Sequence, residues 1–387
     1  MGAHCVSERR KKGVRFTTWA PRAKRMYVVG DFSDFKIKDE YEMEKVSDKG
    51  IWSIFIEGLN EGEKYKYAIE NIYGHYNLKS DPYAFKSENR PNTASIVGET
   101  DKYKWNDKSW MLKRKRFNMY ESPINIYEMH LGSWKTKDEK FLTYREIAEQ
   151  LPNYLVDMGY THVEILPIIE HPLDASWGYQ GVGYYSVTSR YGNANDFKYL
   201  IDELHNAGIG VILDWVPSHF CKDSHGLYMF DGTPTYEYDE EWKRENKGWG
   251  TCNFDLGKPE VKSFLISNLF FWIREFHIDG YTVLVGKNNK QNDYLTTKIA
   301  SKNDIWFHTK DIHGSHVILK NPASNISNEI LIKCAKLAAY YSKARLSNNV
   351  PVDYCFVKYV KKPNGSKPGM VIYTNNKTLN VTPCEFN

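Results

Sequence analysis

FHIDGYTVLVGKNNKQND, Phe276 to Asp293, decides how this 387-residue chain folds. Its first half reads as the end of a helix turning into an apolar strand. Its second half is a polar, basic loop. Reading outward from this joint gives two different rhythms, one on each side.

Upstream, the pattern is strand, helix, strand, helix. NIYEMHLG (125–132), THVEILPI (161–168) and IGVILDWVP (209–217) are buried-type strands. FLTYREIAEQLPNYLVDMG (141–159) has helical spacing, with Ile147, Leu151, Leu155 and Met158 on one stripe. DFKYLIDELHNAG (196–208) is a helix closed by Gly208, and KPEVKSFLISNLFFWIREF (258–276) is a helix with Pro259 in its first turn. HIDGYTVLV (277–285) then reads as a fourth strand. Alternating βα units predict a parallel sheet or a (β/α)8 barrel, and four further units would complete one. They do not follow. The expectation is a half barrel over 123–280 with open strand edges, a liability for self-association unless covered.

Further upstream, GVRFTTWAP, RMYVVGDF, GIWSIFIEG and KYKYAIEN are short alternating runs between turn residues. They predict a small β-sandwich over 12–100. Trp19, Trp52 and Tyr65 suit its core better than a sugar-stacking face. Downstream of the joint, one helix has Ser327 as N-cap and Ile330, Cys334, Leu337, Ala338 and Tyr341 as its stripe. Short strands around a Lys-Pro-Gly loop complete a compact α+β domain over 281–387. The fold class expected is multidomain: β-sandwich, truncated barrel, small α+β domain.

Composition bounds the rest. Hydrophobic residues are 41% and charged residues 26%, ordinary for a globular chain with real cores. No apolar run reaches membrane-span length, and MGAHCVSERRKKG lacks the apolar stretch of a secretory signal. Six scattered cysteines form no CxxC pair, so neither zinc nor a disulfide framework is expected, and the setting reads as reducing and cytoplasmic. No cofactor or metal is expected. The net charge of +4 hides a split. Residues 281–387 hold 15 Lys and Arg against 6 Asp and Glu, while the remainder holds 37 against 42. A basic part of this kind suits a polyanion partner.

Candidate chemistry follows the same division. The third strand ends in Asp214-Trp215-Val216-Pro217-Ser218-His219, where a barrel keeps its functional atoms. Asp214 and His219 can hold sugar hydroxyls there. Tyr179, in HPLDASWGYQGVGYY (171–185), can stack on a pyranose ring. In the basic part, Lys287, Asn288, Asn289 and Lys290 lie in GKNNKQND (286–293). Trp306, His308, Lys310 and His316 follow in NDIWFHTKD and GSH, and Lys361 and Lys362 in KKPNGSKPG. Aromatics among lysines can stack bases and pair phosphates.

The runs GAHCVSERRKKGVRFTTWAPRAKRMYVVGDFSDF, YEMHLGSWK, EHPLDASWGYQGVGYYSVTSRYG and VILDWVPSHF resemble bacterial glycogen (1,4-α-glucan) branching enzymes of the α-amylase superfamily. The likeness spans residues 2–280. It implies a carbohydrate-binding-module-like sandwich and the first half of a catalytic barrel. By position Tyr179 matches the family's ring-stacking tyrosine, and Asp214 and His219 match its first barrel motif. The family's retaining mechanism uses two carboxyl groups about 5–5.5 Å apart. Its fourth-strand motif is Asp-Gly-x-Arg-x-Asp-Ala-Val. Here Thr282 stands for the arginine and Leu284 for the nucleophilic aspartate, and no fifth-strand acid/base glutamate follows. The resemblance therefore implies an inactive relative that keeps α-glucan binding at most.

DGYTVLVGKNNKQNDYLTTKIASKNDIWFHTKDIHGSHVILK and VPVDYCFVKYVKKPNGSKPGMVIYTNNKTLNV resemble the C-terminal domain of NFACT ribosome quality-control proteins, with His313 where a proline is usual. That likeness implies tRNA or large-ribosomal-subunit binding as a second function. Asp279-Gly280 reads in either family. A chimera joined there, by recombination, by engineering or by misjoined genes, is the third reading.

Overall fold

The computed structural model describes residues 1–100, 102–114, 122–278, 283–286, 288–320 and 328–384. It divides into two compact units, Met1–Asp107 with Asn125–Ile278, and Lys108–Ile124 with Asp279–Asn387. Asp279, Gly280, Thr282, Lys287 and Ser327 lie outside the described residues.

The first unit begins with a sandwich. One sheet runs Gly2–Glu8, Lys11–Trp19, Ile51–Glu57, Glu44–Lys45; the other is built on Arg25–Gly30 and Lys64–Glu70. Alternation drives it: Phe16, Met26, Val28 and Tyr67 point into one core. The sandwich starts at Gly2, earlier than the expected residue 12. Gly2–Glu8 pairs antiparallel with Lys11–Trp19 through a two-residue turn. Arg9 and Arg10 sit there at φ +47° and +70°. A turn with both central residues at positive φ is the favoured hairpin geometry, but it is usually written Asn-Gly. Two arginines gave no such signal. Trp19, Trp52 and Tyr65 are core residues. Their polar atoms donate to Lys49 O (3.0 Å), Ala20 O (2.9 Å) and Asp81 Oδ2 (2.7 Å).

A buried ammonium ties the sandwich to the loop over residues 224–228. Lys79 Nζ donates to Ser224 O (2.7 Å) and Tyr228 O (2.6 Å), and burial lowers its pKa to about 8. The rest of the unit carries a parallel sheet ordered Ile126–Met129, His162–Ile165, Gly210–Leu213. The expected helix over 141–159 is two helices, Tyr144–Ala148 and Leu151–Asp157. Pro152 explains the break, since a proline fits a first turn and not a helix interior. Ala194–Asn206 is capped by Asn193, with Gly208 at φ +82° beyond its end, and Pro259–Glu275 opens on its proline.

The second unit has a five-stranded antiparallel sheet: Val283–Val285, Val317–Leu319, Ile305–Thr309, Val350–Phe356, Lys377–Val381. The helix Asn328–Tyr340 covers one face, where Ile330, Cys334 and Ala338 meet Ile305, Phe307 and Val352. Tyr341 follows the helix end. This overturns the expected fourth barrel strand. Leu284 pairs with Ile318 in an antiparallel ladder and is 8% exposed. Val-Leu-Val is apolar on both faces, so periodicity cannot tell a parallel from an antiparallel strand. The available partner decides.

Candidate functional sites

In the first unit the site forms where the parallel strands end. Tyr179 donates its hydroxyl to Asp214 Oδ2 at 2.6 Å. Burial first, and then this carboxylate, raise the Tyr179 pKa, so it stays a neutral donor. Strand register places Glu128 beside Glu164 and Glu164 beside Ile212. Asp214 lies two residues further, on the same face. Burial, Glu128 and Asp214 together raise the Glu164 pKa. The mouth is thus a row of carboxyl groups, suited to accepting hydroxyl hydrogens.

His219 is buried on a short antiparallel ladder with Asn253. Its ring lies 4.8 Å from that of Trp249, and burial lowers its pKa. Gln180 Nε2 donates to Trp249 O at 3.4 Å, linking the Tyr179 loop to the Trp249 loop. Two exposed indoles that periodicity does not mark stand here. Trp249 is 64% exposed and Trp177 is 48% exposed, with His130 stacked on Trp177 at 5.7 Å. SWGYQ and GWGT, tryptophans beside glycines in loops, were the available signal. Arg190 holds the Tyr179 loop from beneath. It pairs with Glu170 (3.0 Å) and Asp174 (2.7 Å), and its own side chain is almost fully buried.

In the second unit the candidate residues separate. Trp306 is fully buried between His308 (5.6 Å) and Tyr373 (4.7 Å), so it has no free face for a base. His316 is also buried; its Nδ1 lies 2.8 Å from Thr296 Oγ1. Burial, then His308, lower its pKa to about 3. Both corrections share one cause. The sheet face opposite the helix is covered by a second polar layer. His308 is half-buried there, and burial lowers its pKa. Asn288 caps the helix Asn289–Tyr294 through its bond from Gln291 N, 2.9 Å.

The loop carrying Lys362 is tied to the helix Asn289–Tyr294. Lys362 Nζ pairs with Asp293 at 2.6 Å, and Gly369 N donates to the same carboxylate at 3.3 Å. Gly369 sits at φ +81°, where a side chain would press on Asn289. The KKPNGSKPG loop therefore docks on the helix carrying Asn289 and Lys290. Lys310 is exposed on a separate turn, its backbone held by Pro351 O (2.9 Å). Among the described residues, no group of three His, Cys, Asp or Glu is placed to hold a metal, and no helix is long and apolar enough to cross a membrane. Cys5, Cys221, Cys252, Cys334 and Cys355 form no disulfide.

Comparison with known proteins shows the same division. Residues 1–84 match carbohydrate-binding module 48 (isoamylase N-terminal domain), and residues 135–248 match the alpha amylase catalytic domain. Residues 269–375 match the NFACT protein RNA binding domain. Models of different families thus match different stretches of this chain. The chain is 61% identical over 295 residues to 1,4-alpha-glucan branching enzyme GlgB 2 of Clostridium perfringens (strain SM101), covering 76% of this chain and 45% of that enzyme. It is 59% identical over 324 residues to GlgB of Francisella tularensis subsp. novicida, covering 84% and 50%. The chain thus spans half or less of these relatives' length. A solved structure from Salmonella typhimurium assigned as an α-amylase superposes with TM-score 0.58 at 26% identity, covering 72% of this chain and 42% of that one. The NFACT-like part carries the last sheet and helix.

Proposed function

We propose that the chain is a branching-enzyme-like α-glucan binder without branching activity. The observation that carries it is the Tyr179–Asp214 pair at the strand mouth, flanked by the exposed indoles of Trp177 and Trp249. Aromatic faces and carboxyl acceptors are what a pyranose needs. Inactivity is supported by Leu284 and Thr282 in the family's nucleophile motif and by the course of the backbone. Val283–Val285 is committed to the second unit's sheet, so the barrel reads as truncated after Ile278. A leucine cannot form a glycosyl ester, and loss of a nucleophile costs orders of magnitude in rate. Retention on immobilised amylopectin, weakened in Tyr179→Ala, tests the binding. Branching of amylose, read as a fall in iodine colour, would refute the inactivity.

A second reading rests on the NFACT-like part. The docked Lys361–Lys362 loop beside Asn289 and Lys290, in a segment of net +9, favours a phosphate backbone such as tRNA or ribosomal RNA. Salt-sensitive binding of tRNA or large subunits supports it, and salt-independent or absent binding refutes it. The two likenesses within one open frame also support a chimera joined near Asp279-Gly280, and sequencing single DNA molecules across that joint tests it.

A further inference from the structure

Asp293 stands alone among lysines. The segments 286–293 and 358–369 together hold six lysines against this one acid. The second unit brings the two segments into contact at that acid. Asp293 Oδ1 accepts from Lys362 Nζ at 2.6 Å and from Gly369 N at 3.3 Å. Lys362 first, helped by Gly369 N and His316, holds the carboxyl below the usual range, so it is an anion at neutral pH.

The loop that supplies both donors has its own supports. Its flanks pair in an antiparallel ladder, Val360 with Tyr373 and Lys361 with Ile372. Ser366 N donates to Pro363 O (3.2 Å), and Met370 N to Lys367 O (3.1 Å). Gly369 lies at φ +81°, where a Cβ would come within 3.1 Å of Asn289 Cα. A backbone N–H and an ammonium therefore converge on one point from a braced loop. Such a pair of donors is what a phosphate oxygen needs. The anion already there is the protein's own.

Two roles for Asp293 differ in sign. As a fastener it orders the loop, and removing its charge should weaken whatever the loop binds. As a plug it sits where a ligand anion would sit, and removing its charge should strengthen binding. The magnitudes favour the plug. The side chains of Lys362 and Asp293 are 30% and 22% exposed, and a pair this open to water is a weak fastener. The ladder and the turns hold the loop without it. A phosphate brings more charge and more acceptor oxygens than a carboxylate, so it can take the donors over. Lys361 and Lys367, exposed on the same loop, add to its pull.

We propose that Asp293 is an internal anion closing a phosphate site made by Lys362 Nζ and Gly369 N, and that a phosphate group opens the site by displacing it. The phosphate belongs to a nucleic-acid backbone or is free in solution. The nucleic-acid source rests on the second reading given above.

The test reads the Gly369 amide in the full chain. Pro368-Gly369 is the chain's only Pro-Gly pair, so 13C-carbonyl proline with 15N-glycine marks that amide without a substitution. The chain and its Asp293→Asn variant are titrated with inorganic phosphate and, separately, with tRNA. Phosphate should move the amide saturably, at about two- to fivefold lower concentration in Asp293→Asn. Binding of tRNA should tighten by a similar factor. Both gains should vanish when Lys362→Ala is added. An amide unmoved by phosphate in Asp293→Asn overturns the proposal. So does weaker binding in Asp293→Asn, the mark of a fastener. So does a gain that persists without Lys362, the mark of a general charge effect. If phosphate acts as expected and tRNA binds neither chain, the site stands with free phosphate as its source, and the nucleic-acid reading falls.

Discussion

The parallel sheet of the first unit and the antiparallel sheet of the second are built on opposite principles. Ile126–Met129, His162–Ile165 and Gly210–Leu213 pair only with one another among the described residues, and both outer strands keep an unpaired edge. Ile126 is 42% exposed on a strand that a closed barrel would bury. The second sheet has five strands and a helix seated on Phe307 and Val352. Each βα unit of a parallel barrel is locally complete in sequence yet globally dependent on its neighbours. An antiparallel α+β domain closes on itself. Local patterning can therefore be read in each element without its larger closure.

The comparison can be broken at the most buried ion pair of the second unit. Lys320 and Asp304 meet at 2.5 Å with side chains 2% and 1% exposed. Lys320→Met removes the cation and leaves a buried carboxylate, so the second unit should lose about 3–5 kcal/mol. Calorimetry should show one transition falling and the other unmoved. A single shared transition would deny that the units are separate.

Acid comes next. His171 and His316 have pKa values lowered to about 4 and about 3 from the ordinary 6.5. The unfolded chain binds these protons below 6.5, and the folded chain does not. Their contribution is complete above pH 6.5 and is lost as pH falls through the folded values. Each contributes on the order of 3 kcal/mol. Urea melts at pH 7.5 and 4.5 should show both units weakened. His316→Gln should shrink the acid loss of the second unit alone.

Leu284→Ala sharpens the same division. It should cost the second unit about 2–3 kcal/mol and leave amylopectin retention as it was. Leu284→Asp restores the family's residue type but not its backbone, so the iodine assay should still show no branching. The smallest effect is Tyr179→Phe. Losing the bond to Asp214 should weaken glucan retention by about 1 kcal/mol, read by affinity electrophoresis.

The sequence carried the local physics well. Alternation marked four sandwich strands, Gly208 marked a helix end, and Pro259 a helix start. Tyr179 and Asp214 were singled out separately, and the fold brings them to hydrogen-bonding distance. What failed needed partners that periodicity does not name. Period two says that Trp306 and His308 share a face; it does not say that a second layer with Thr296 and Tyr373 covers it. Trp177 and Trp249 carried no periodic signal, because they sit on loops. Leu284 was compared with an aspartate by its place in a motif, while its strand answers to Ile318.

Lys79 has a practical consequence for anyone who wishes to cut this protein apart. The sandwich, whose residues 1–84 match carbohydrate-binding module 48, looks portable on paper, ending before the strand Ile126–Met129. Yet its short strand Tyr76–Lys79 delivers an ammonium to two carbonyls beyond residue 220. Arg22 N likewise donates to Asp231 at 2.9 Å. Excised, the sandwich would carry an orphaned cation into water, and the remainder would keep carbonyls with no donor. A piece cut to keep this sandwich intact should therefore extend to Ile278.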